Sequence, residues 1–256
     1  MDQGRTFNRV ADLYGTARPG YPEALVQDTI DFARLCPGDS VLEVGCGAGQ
    51  ATVSFAQRGY RLTCLDPGDA LIKVARERVL DNSVQFVNST FESWQPAPSA
   101  SYRLIFAAQS WHWIPREISF VKAADLLDQD GVLSVFGHVP GTLAEPLYSE
   151  FEAIYRRHTG RWDPPPETGY LPSGPLVKWF DAAGRFDTVI HKSYSWDWKL
   201  TAASFTSFVR TRSDHQMMPA SKLDSILREL KSAIERHGDS FKWPYETHLY
   251  MARRKC

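Results

Sequence analysis

The sequence predicts an α/β fold built on a doubly wound, mostly parallel sheet of seven strands, with one antiparallel strand near an edge. Three observations predict this fold. Short apolar or β-branched segments alternate with helical patterns between residues 39 and 137, as in repeated β-α units. A glycine-rich turn separates the first strand from a helix. Two further strand candidates near the end of the chain can complete the sheet.

The alternating region holds five strand candidates and three helix candidates. Residues 22–35 predict a further helix ahead of them, because Pro22 suits a first helical turn and Pro37-Gly38 follows its end. Residues 14–21 before that helix are expected to form a loop. The five strands are expected at 41–44, 61–65, 84–87, 104–107 and 132–136, and the three helices at 50–57, 69–80 and 115–127.

The chain changes in character after the fifth strand. Seven of its sixteen prolines fall between Pro140 and Pro175, among aromatic residues, which predicts a cap over a pocket; a rigid surface connection is the alternative. Residues 220–237 place apolar side chains at helical spacing. The two remaining strand candidates are residues 188–198 and 248–252.

Composition excludes several classes of protein. With 256 residues, 43% of them hydrophobic, and a formal net charge of −1, the chain can bury a core. It lacks the basic surplus that binds phosphate backbones, which argues against a nucleic-acid partner. No apolar run approaches the roughly 20 residues of a membrane span, and no secretory signal is recognisable, so we expect a cytoplasmic protein. The four cysteines lack metal-ligand spacing; we expect free thiols and no metal.

The glycine-rich turn carries the strongest functional signal. Residues 41–50 read V-L-E-V-G-C-G-A-G-Q, a buried strand followed by glycines that permit positive φ and let backbone amides approach a ligand. The dinucleotide fingerprint needs glycine at position 50, which is Gln50, so a dinucleotide oxidoreductase is disfavoured. Asp66 ends the second strand 19 residues after Gly47, where a carboxylate can accept hydrogen bonds from both ribose hydroxyls. The pattern predicts a nucleoside-bearing ligand.

Glu43 lies within the same apolar strand. A buried carboxylate is costly unless it is hydrogen-bonded, so we interpret Glu43 as a group that orients the glycine loop from beneath. The alternative is a glutamate exposed at a sheet edge.

The segment E-V-G-C-G-A-G at 43–49, with a second strand that ends in Asp66, resembles the class I S-adenosylmethionine-dependent methyltransferases. Within that superfamily, R-P-G-Y-P at 18–22 and Q-S-W-H-W at 109–113 are similar to small-molecule enzymes that include the trans-aconitate methyltransferases. The resemblance implies a Rossmann-like methyltransferase fold, S-adenosylmethionine as cofactor and S-adenosylhomocysteine as product. We therefore interpret residues 1–256 as a single domain: a cofactor-binding core at about 38–138, a cap at about 139–180, and C-terminal sheet completion and helices at about 185–256.

The resemblance also implies a set of cofactor contacts. Gly45, Cys46 and Gly47 would face the methionine part, Asp66 would hold the ribose, and Glu43 would lie beneath the loop. The other implied contacts are Tyr14 and Arg18 from an N-terminal flap, with Arg18 on the methionine carboxylate; Pro67 beside the adenine; Thr90 and Phe91 in the turn that binds the adenine amine; and Ala108 and Gln109 beneath the sulfonium. The alternative for Arg18 is an ion pair at the surface.

His112 is the candidate catalytic residue, because it follows the fourth strand at the sheet edge where ligands bind. The alternative is a histidine that packs between two tryptophans. Trp113 is expected in the core. The residues expected in the substrate pocket are Trp111, His138, Trp162, Tyr170 and His215.

The expected function is methyl transfer to a small-molecule acceptor, at a carboxylate or a hydroxyl. A carboxylate is already ionised and needs no general base, whereas a hydroxyl would benefit from one. Two alternatives stay open: a tRNA or protein methyltransferase, and a non-catalytic regulatory protein that binds the cofactor. The sequence leaves the oligomeric state and the identity of the acceptor undetermined.

Overall fold

A computed structural model describes residues 10–162 and 169–255. Within these residues one seven-stranded sheet has the order β3-β2-β1-β4-β5-β7-β6, which confirms the predicted fold class. The strands are β1 (Ser40–Val44), β2 (Arg61–Asp66), β3 (Val84–Asn88), β4 (Tyr102–Ala108), β5 (Leu127–Pro140), β6 (Ile190–Thr201) and β7 (Ser240–Arg253).

Helices connect and flank these strands. Among the described residues, no helix is long and apolar enough to cross a membrane. The helices are α1 (Ala11–Ala17), α2 (Glu23–Ala33), α3 (Thr52–Phe55), α4 (Asp69–Arg78), α5 (Arg116–Leu126), α6 (Leu147–Thr159), α7 (Leu176–Ala183), α8 (Ala202–Arg210), α9 (Ser213–Gln216) and α10 (Ala220–Arg236).

The prediction of a loop over 14–21 was wrong in its first part, because α1 occupies residues 11–17. This helix buries only small residues, Ala11, Gly15 and Ala17, so it shows no apolar stripe in the sequence. It ends at Arg18, whose backbone is extended, as expected for a residue that precedes a proline.

Two other predicted elements differ in length from the observed ones. The helix expected at 50–57 shortens to α3, since Gln57 and Gly59 both adopt positive φ. The strand expected at 248–252 extends back to Ser240, through Pro244. A proline usually ends a strand because it lacks an N–H donor, but here its carbonyl accepts the Gly141 N–H at 2.8 Å.

The strand directions follow from the backbone pairing. β1 lies parallel to β2 and β4, and the parallel pairing continues to β3 on one side and β5 on the other. β7 runs antiparallel to β5, because Gly141 bonds to Pro244 while Arg254 bonds to Gly131. The carboxyl ends of β1, β2 and β4 therefore meet at one edge of the sheet, where the candidate site residues are.

The chain forms two compact units. The larger unit contains residues 20–139, 169–194 and 247–255. Alternate residues of β1 enter its two hydrophobic clusters: Leu42 and Val44 lie in one, and Val41 lies in the other. Alternate side chains of a strand point to opposite faces, so the sheet is buried on both sides, as its continuous apolar strands predict.

The smaller unit contains residues 10–19, 140–162 and 195–246. In this described part, a hydrophobic cluster packs α6, α8 and α10 around Phe151, Phe205 and Ile226. The segment expected to form a cap contributes α6 to this unit and α7 to the larger one. Its prolines at 164–166 lie outside the described residues.

Candidate active site

The glycine loop leaves β1 at the carboxyl edge of the sheet. Gly45 and Gly47 adopt φ values of +73° and +55°, which favour glycine. The N–H groups of Gly45 and Cys46 both donate to the Leu65 carbonyl, at 2.8 and 2.9 Å, and so fix the loop to β2. A Cβ on Gly45 would lie 2.4 Å from the Cβ of Ser110, so the close approach of β4 also requires glycine at this position.

Asp66 is buried at the end of β2 and is held by the loop. Its two oxygens accept the N–H groups of Gly47 and Gly68, at 2.8 and 2.7 Å. Burial raises the pKa of Asp66 to about 6, against the opposing effect of these two hydrogen bonds. Each carboxylate oxygen has two acceptor sites, so the hydrogen bonds seen within residues 10–162 and 169–255 leave one site on each oxygen for a further donor.

Glu43 lies in β1 and is only 1% exposed. Its Oε2 accepts the Thr52 hydroxyl at 2.6 Å and faces the Cys64 thiol at 3.5 Å. Its Oε1 has no hydrogen-bond partner among the described residues. Burial raises the pKa of Glu43 to about 7, and the nearby charge of Asp66 adds to that rise. The alternative of an exposed edge glutamate is therefore wrong.

The turn after β3 contains the residues expected to bind an adenine. The Thr90 hydroxyl accepts the Ser93 N–H at 3.2 Å and caps the turn. Phe91 is buried and its ring belongs to the core. Lys122 of α5 donates from Nζ to the carbonyls of Phe91, Glu92 and Trp94, at 2.6, 3.2 and 2.5 Å. Sequence reasoning missed this anchor, because Lys122 is about 30 residues from the turn and belongs to no motif.

Gln109 follows β4 with a φ of +58°. A positive φ at a residue other than glycine is strained, and such strain clusters at functional sites. The conformation is held by the Gln109 N–H, which donates to the Phe136 carbonyl at 2.9 Å. Ser110 then donates its hydroxyl to the Val44 carbonyl. The ends of β1, β4 and β5 are thus joined at the positions expected to lie beneath a sulfonium.

His112 lies in a short 3₁₀ turn formed by Trp111–Trp113. Its Nδ1 is 3.1 Å from the hydroxyl of Tyr170. The residue is exposed, and desolvation lowers the pKa of His112 to about 4.

The two tryptophans beside His112 are arranged in the opposite way to that expected. Trp111, expected in a pocket, is 1% exposed, whereas Trp113, expected in the core, is 48% exposed. In the tight turn the two side chains point apart, and Trp111 is the one that packs edge-on against Phe120 of α5. The indole Nε1 of Trp111 is buried without a hydrogen-bond partner among the described residues.

His138, expected in the substrate pocket, is buried near the end of β5. Its Nδ1 lies 2.8 Å from the Thr247 hydroxyl, and its Nε2 lies 3.1 Å from the Gly20 carbonyl. The ring also stacks on Tyr21. Both nitrogens therefore serve the fold of the larger unit.

Arg18 and Tyr14 belong to the smaller unit. The Arg18 guanidinium lies 4.9 Å from the ring centres of both Tyr14 and Phe208. It also donates to the hydroxyl and the carbonyl of Thr211, at 2.9 and 3.0 Å. Among the described residues no carboxylate pairs with it, so the surface ion pair considered as the alternative is absent there.

His215 and Trp162 also lie in the smaller unit. His215 is buried; its Nε2 is 2.7 Å from the Tyr155 hydroxyl, and its Nδ1 is 2.9 Å from Asp214. Arg212 binds the same carboxylate through two hydrogen bonds. Trp162 packs against Tyr155 and donates its indole N–H to Tyr148. Sequence reasoning missed the hydrogen-bonded series Tyr155, His215, Asp214 and Arg212.

Comparisons with known proteins match the part of the chain that contains the glycine loop, Asp66 and Gln109. A family model described as a methyltransferase domain matches residues 41–131, from β1 into β5. A probable S-adenosylmethionine-dependent methyltransferase of Saccharomyces cerevisiae is 27% identical over 130 residues, 49% of this chain and 44% of that protein. Trans-aconitate 2-methyltransferase of Escherichia coli O157:H7 is 35% identical over 113 residues, 43% of this chain and 42% of that protein. The matches thus span less than half the length of these two relatives.

The fold comparison extends over more of the chain. A solved structure from Anaeromyxobacter dehalogenans superposes with a TM-score of 0.59 at 19% identity, covering 92% of this chain and 97% of that one. At that identity the match shows the fold alone. The Gly45–Gly47 loop, Asp66, the turn at 90–92 and Gln109 all lie inside the segment that the family model covers.

Proposed function

We propose that this chain, a member of the class I S-adenosylmethionine-dependent methyltransferases, transfers a methyl group to a small-molecule acceptor at a carboxylate or hydroxyl oxygen. One observation carries the proposal. The Asp66 carboxylate is held by the Gly47 and Gly68 N–H groups at the carboxyl edge of the sheet, with one acceptor site left on each oxygen. Two adjacent acceptors suit the two hydroxyls of a ribose.

The other residues of this edge also fit the cofactor. The Oε1 of Glu43, which has no hydrogen-bond partner in the described part of the chain, is a buried acceptor beneath the glycine loop, suited to the cationic end of a methionine group. The strained Gln109 lies where β4 ends, and the capped turn at Thr90 offers backbone groups for an adenine. We assign Glu43, Gly45, Cys46, Gly47, Asp66, Pro67, Thr90, Phe91, Ala108 and Gln109 to the cofactor site.

The cofactor would supply a sulfonium-activated methyl group, so a carboxylate acceptor needs only to be oriented and shielded from water, whereas a hydroxyl would also benefit from a base. Orientation alone can contribute roughly 7–11 kcal/mol to such a step. Backbone anchors at Leu65 and Phe136 hold the loop and the end of β4 in place. The glycine loop and the end of β4 would therefore contribute by holding the bound molecules in place, as methyl transfer between two molecules requires.

Small-molecule acceptors are favoured over nucleic acid by charge. The formal net charge of −1 gives no general attraction to a phosphate backbone. Trans-aconitate 2-methyltransferase, one of the relatives found, is named for a small carboxylic acid. We therefore expect an acceptor of that size.

The proposal is tested by calorimetric titration with S-adenosylhomocysteine. Asp66→Asn removes the charge that two ribose hydroxyls would meet, and charged hydrogen bonds contribute about 1.5–3 kcal/mol each. The affinity should fall at least about tenfold. Glu77→Gln, which removes an exposed carboxylate of α4, should bind like the wild type. Equal affinity for the wild type and Asp66→Asn would overturn the assignment of Asp66.

Methyl transfer is then measured by mass spectrometry on a panel of small carboxylic acids and phenols incubated with S-adenosylmethionine. The expected result is one methylated product that depends on Asp66. Tight cofactor binding without any product would favour the non-catalytic alternative. A methylated product formed only on RNA or protein would favour the alternative of a tRNA or protein methyltransferase.

A further inference from the structure

The Tyr170 hydroxyl lies beside one nitrogen of the His112 ring. Tyr170 is buried, at 2% exposure. A buried phenol must donate its own proton to an acceptor. Among the described residues, the acceptor within reach of that proton is Nδ1 of His112, at 3.1 Å.

This arrangement selects one tautomer of the imidazole. If Nδ1 accepts the phenol proton, a neutral ring must carry its own proton on Nε2. Desolvation lowers the pKa of His112 to about 4, so the ring is neutral at pH 7. Catalytic histidines that act as bases have the reverse arrangement, in which Nδ1–H donates to a carboxylate and Nε2 is free to accept.

Tyr170 is itself held in place. Its carbonyl accepts the Tyr250 hydroxyl at 2.8 Å. Its ring lies so close to Gly137 that a Cβ there would be 2.7 Å from the ring and 2.7 Å from the side-chain oxygen of Gln109. The phenol is therefore packed directly against the end of β5 and the strained residue that follows β4.

We propose that His112 donates a hydrogen bond from Nε2–H to an oxygen of the methyl acceptor, and that Tyr170 is the positioning residue that sets this tautomer. The inference rests on the proposed function and narrows its substrate class. A donor that has no base beside it suits an acceptor already ionised, namely a carboxylate. One carboxylate oxygen would accept a hydrogen bond from Nε2–H, while the other would form the bond to the methyl carbon as the methyl–sulfur bond of the cofactor breaks and S-adenosylhomocysteine leaves. No proton has to be removed.

The tautomer is tested first, in the ligand-free protein, by ¹⁵N–¹H correlation spectra of protein labelled at histidine. The His112 signals are identified by their loss in His112→Gln. In the wild type the proton should be on Nε2, and Tyr170→Phe should shift the ring toward a mixture of tautomers. A proton on Nδ1 in the wild type would overturn the proposal whether or not methyl transfer is ever detected.

The contact with the acceptor is tested by adding trans-aconitate, a tricarboxylic acid, to the complex with S-adenosylhomocysteine. The His112 Nε2–H signal should shift on binding. Acids on the active panel should behave in the same way. An unchanged His112 signal with every carboxylic acid that binds, or the absence of binding by all of them, contradicts the proposal.

Kinetics separate a donor from a packing residue. His112→Met should lower kcat/KM for a carboxylate about 10- to 100-fold, the effect of one hydrogen bond to a charged group, with the affinity for S-adenosylhomocysteine unchanged. His112→Gln places an amide N–H near Nε2 and should retain activity within about threefold. Equal losses in the two variants would show that packing, and not donation, is what His112 supplies.

Discussion

Asp214 shows how a single carboxylate can hold a buried network. Burial opposes its ionisation, but hydrogen bonds from His215 and Arg212 outweigh burial and hold the pKa of Asp214 well below its usual range. The Arg212 side chain is only 24% exposed. When its carboxylate partner is removed, a partly buried arginine keeps its positive charge without a negative charge beside it, which destabilises the folded state.

We predict that Asp214→Asn lowers the free energy of unfolding by about 1–2 kcal/mol at pH 7, since half of this carboxylate is exposed and screened. Because the folded-state pKa is depressed, the contribution is full above the unfolded pKa and is lost as pH falls below it. Urea denaturation at pH 7 measures the effect. Asp224→Asn removes the exposed pair with Arg210 and should cost less than about 1 kcal/mol. Equal losses would contradict the role of burial.

At the scale of elements, Lys122 joins α5 to the turn after β3. Its ammonium satisfies three backbone carbonyls at once, which no hydroxyl or amide could do from that position. The turn at 90–94 is exposed at Thr90 and Ser93 and buried at Phe91. The lysine therefore adds a backbone anchor to a turn whose Phe91 and Trp94 side chains pack on the core.

We predict that Lys122→Met weakens the binding of S-adenosylhomocysteine about tenfold, because three carbonyls lose their donor and the turn is no longer held. Fluorescence titration or calorimetry measures the affinity. Lys178→Met, which removes an exposed lysine of α7, is the matched control and should bind normally. An unchanged affinity in Lys122→Met would show that the turn does not depend on this anchor for ligand binding.

The elements that could be predicted from sequence are those with a strong local pattern. β1 and β4 are mostly apolar runs, with one charged residue each in Glu43 and Arg103. α10 has a clear apolar stripe, so the positions of all three were predicted within a few residues. α1 was missed because its buried side consists of small residues that leave no stripe. The first half of β7 was missed because Pro244 argues against a strand unless the partner strand is known.

The same distinction holds for the site. The glycine loop and Asp66 are adjacent to recognisable motifs, so the sequence predicts them as ligand residues. Lys122, the tautomer of His112 and the strained φ of Gln109 depend on residues far apart in the chain, which periodicity cannot connect. The burial of Trp111 and Trp113 was predicted the wrong way round, because alternate positions in a tight turn cannot be assigned to a face from sequence.

On the scale of the whole molecule, the buried carboxylates set the pH dependence of stability. The folded-state pKa of Glu43 is raised to about 7, so between its usual value and pH 7 the folded state binds a proton that the unfolded state has lost. The free energy of unfolding must then fall as pH rises through that range. Asp66, raised to about 6, acts in the same direction.

We predict that the wild type is more stable at pH 5 than at pH 8, and that Glu43→Gln removes about 3 kcal/mol of that difference, from a shift of roughly two pKa units or more. Urea denaturation at the two pH values measures it. Glu117→Gln, at an exposed position of α5, should keep the wild-type difference. A difference that persists in full in Glu43→Gln would show that Glu43 is not the group responsible.

The position of β7 also affects how the chain folds while it is synthesised on the ribosome. This strand lies between β5 and β6 in the sheet, although it is synthesised after both. A nascent chain therefore leaves the edge of β5 open until residues 240–253 have emerged, and an open strand edge can pair with other chains. Folding during synthesis can complete β1 to β5 early. The seven-stranded sheet is complete only after β7 has inserted between β5 and β6.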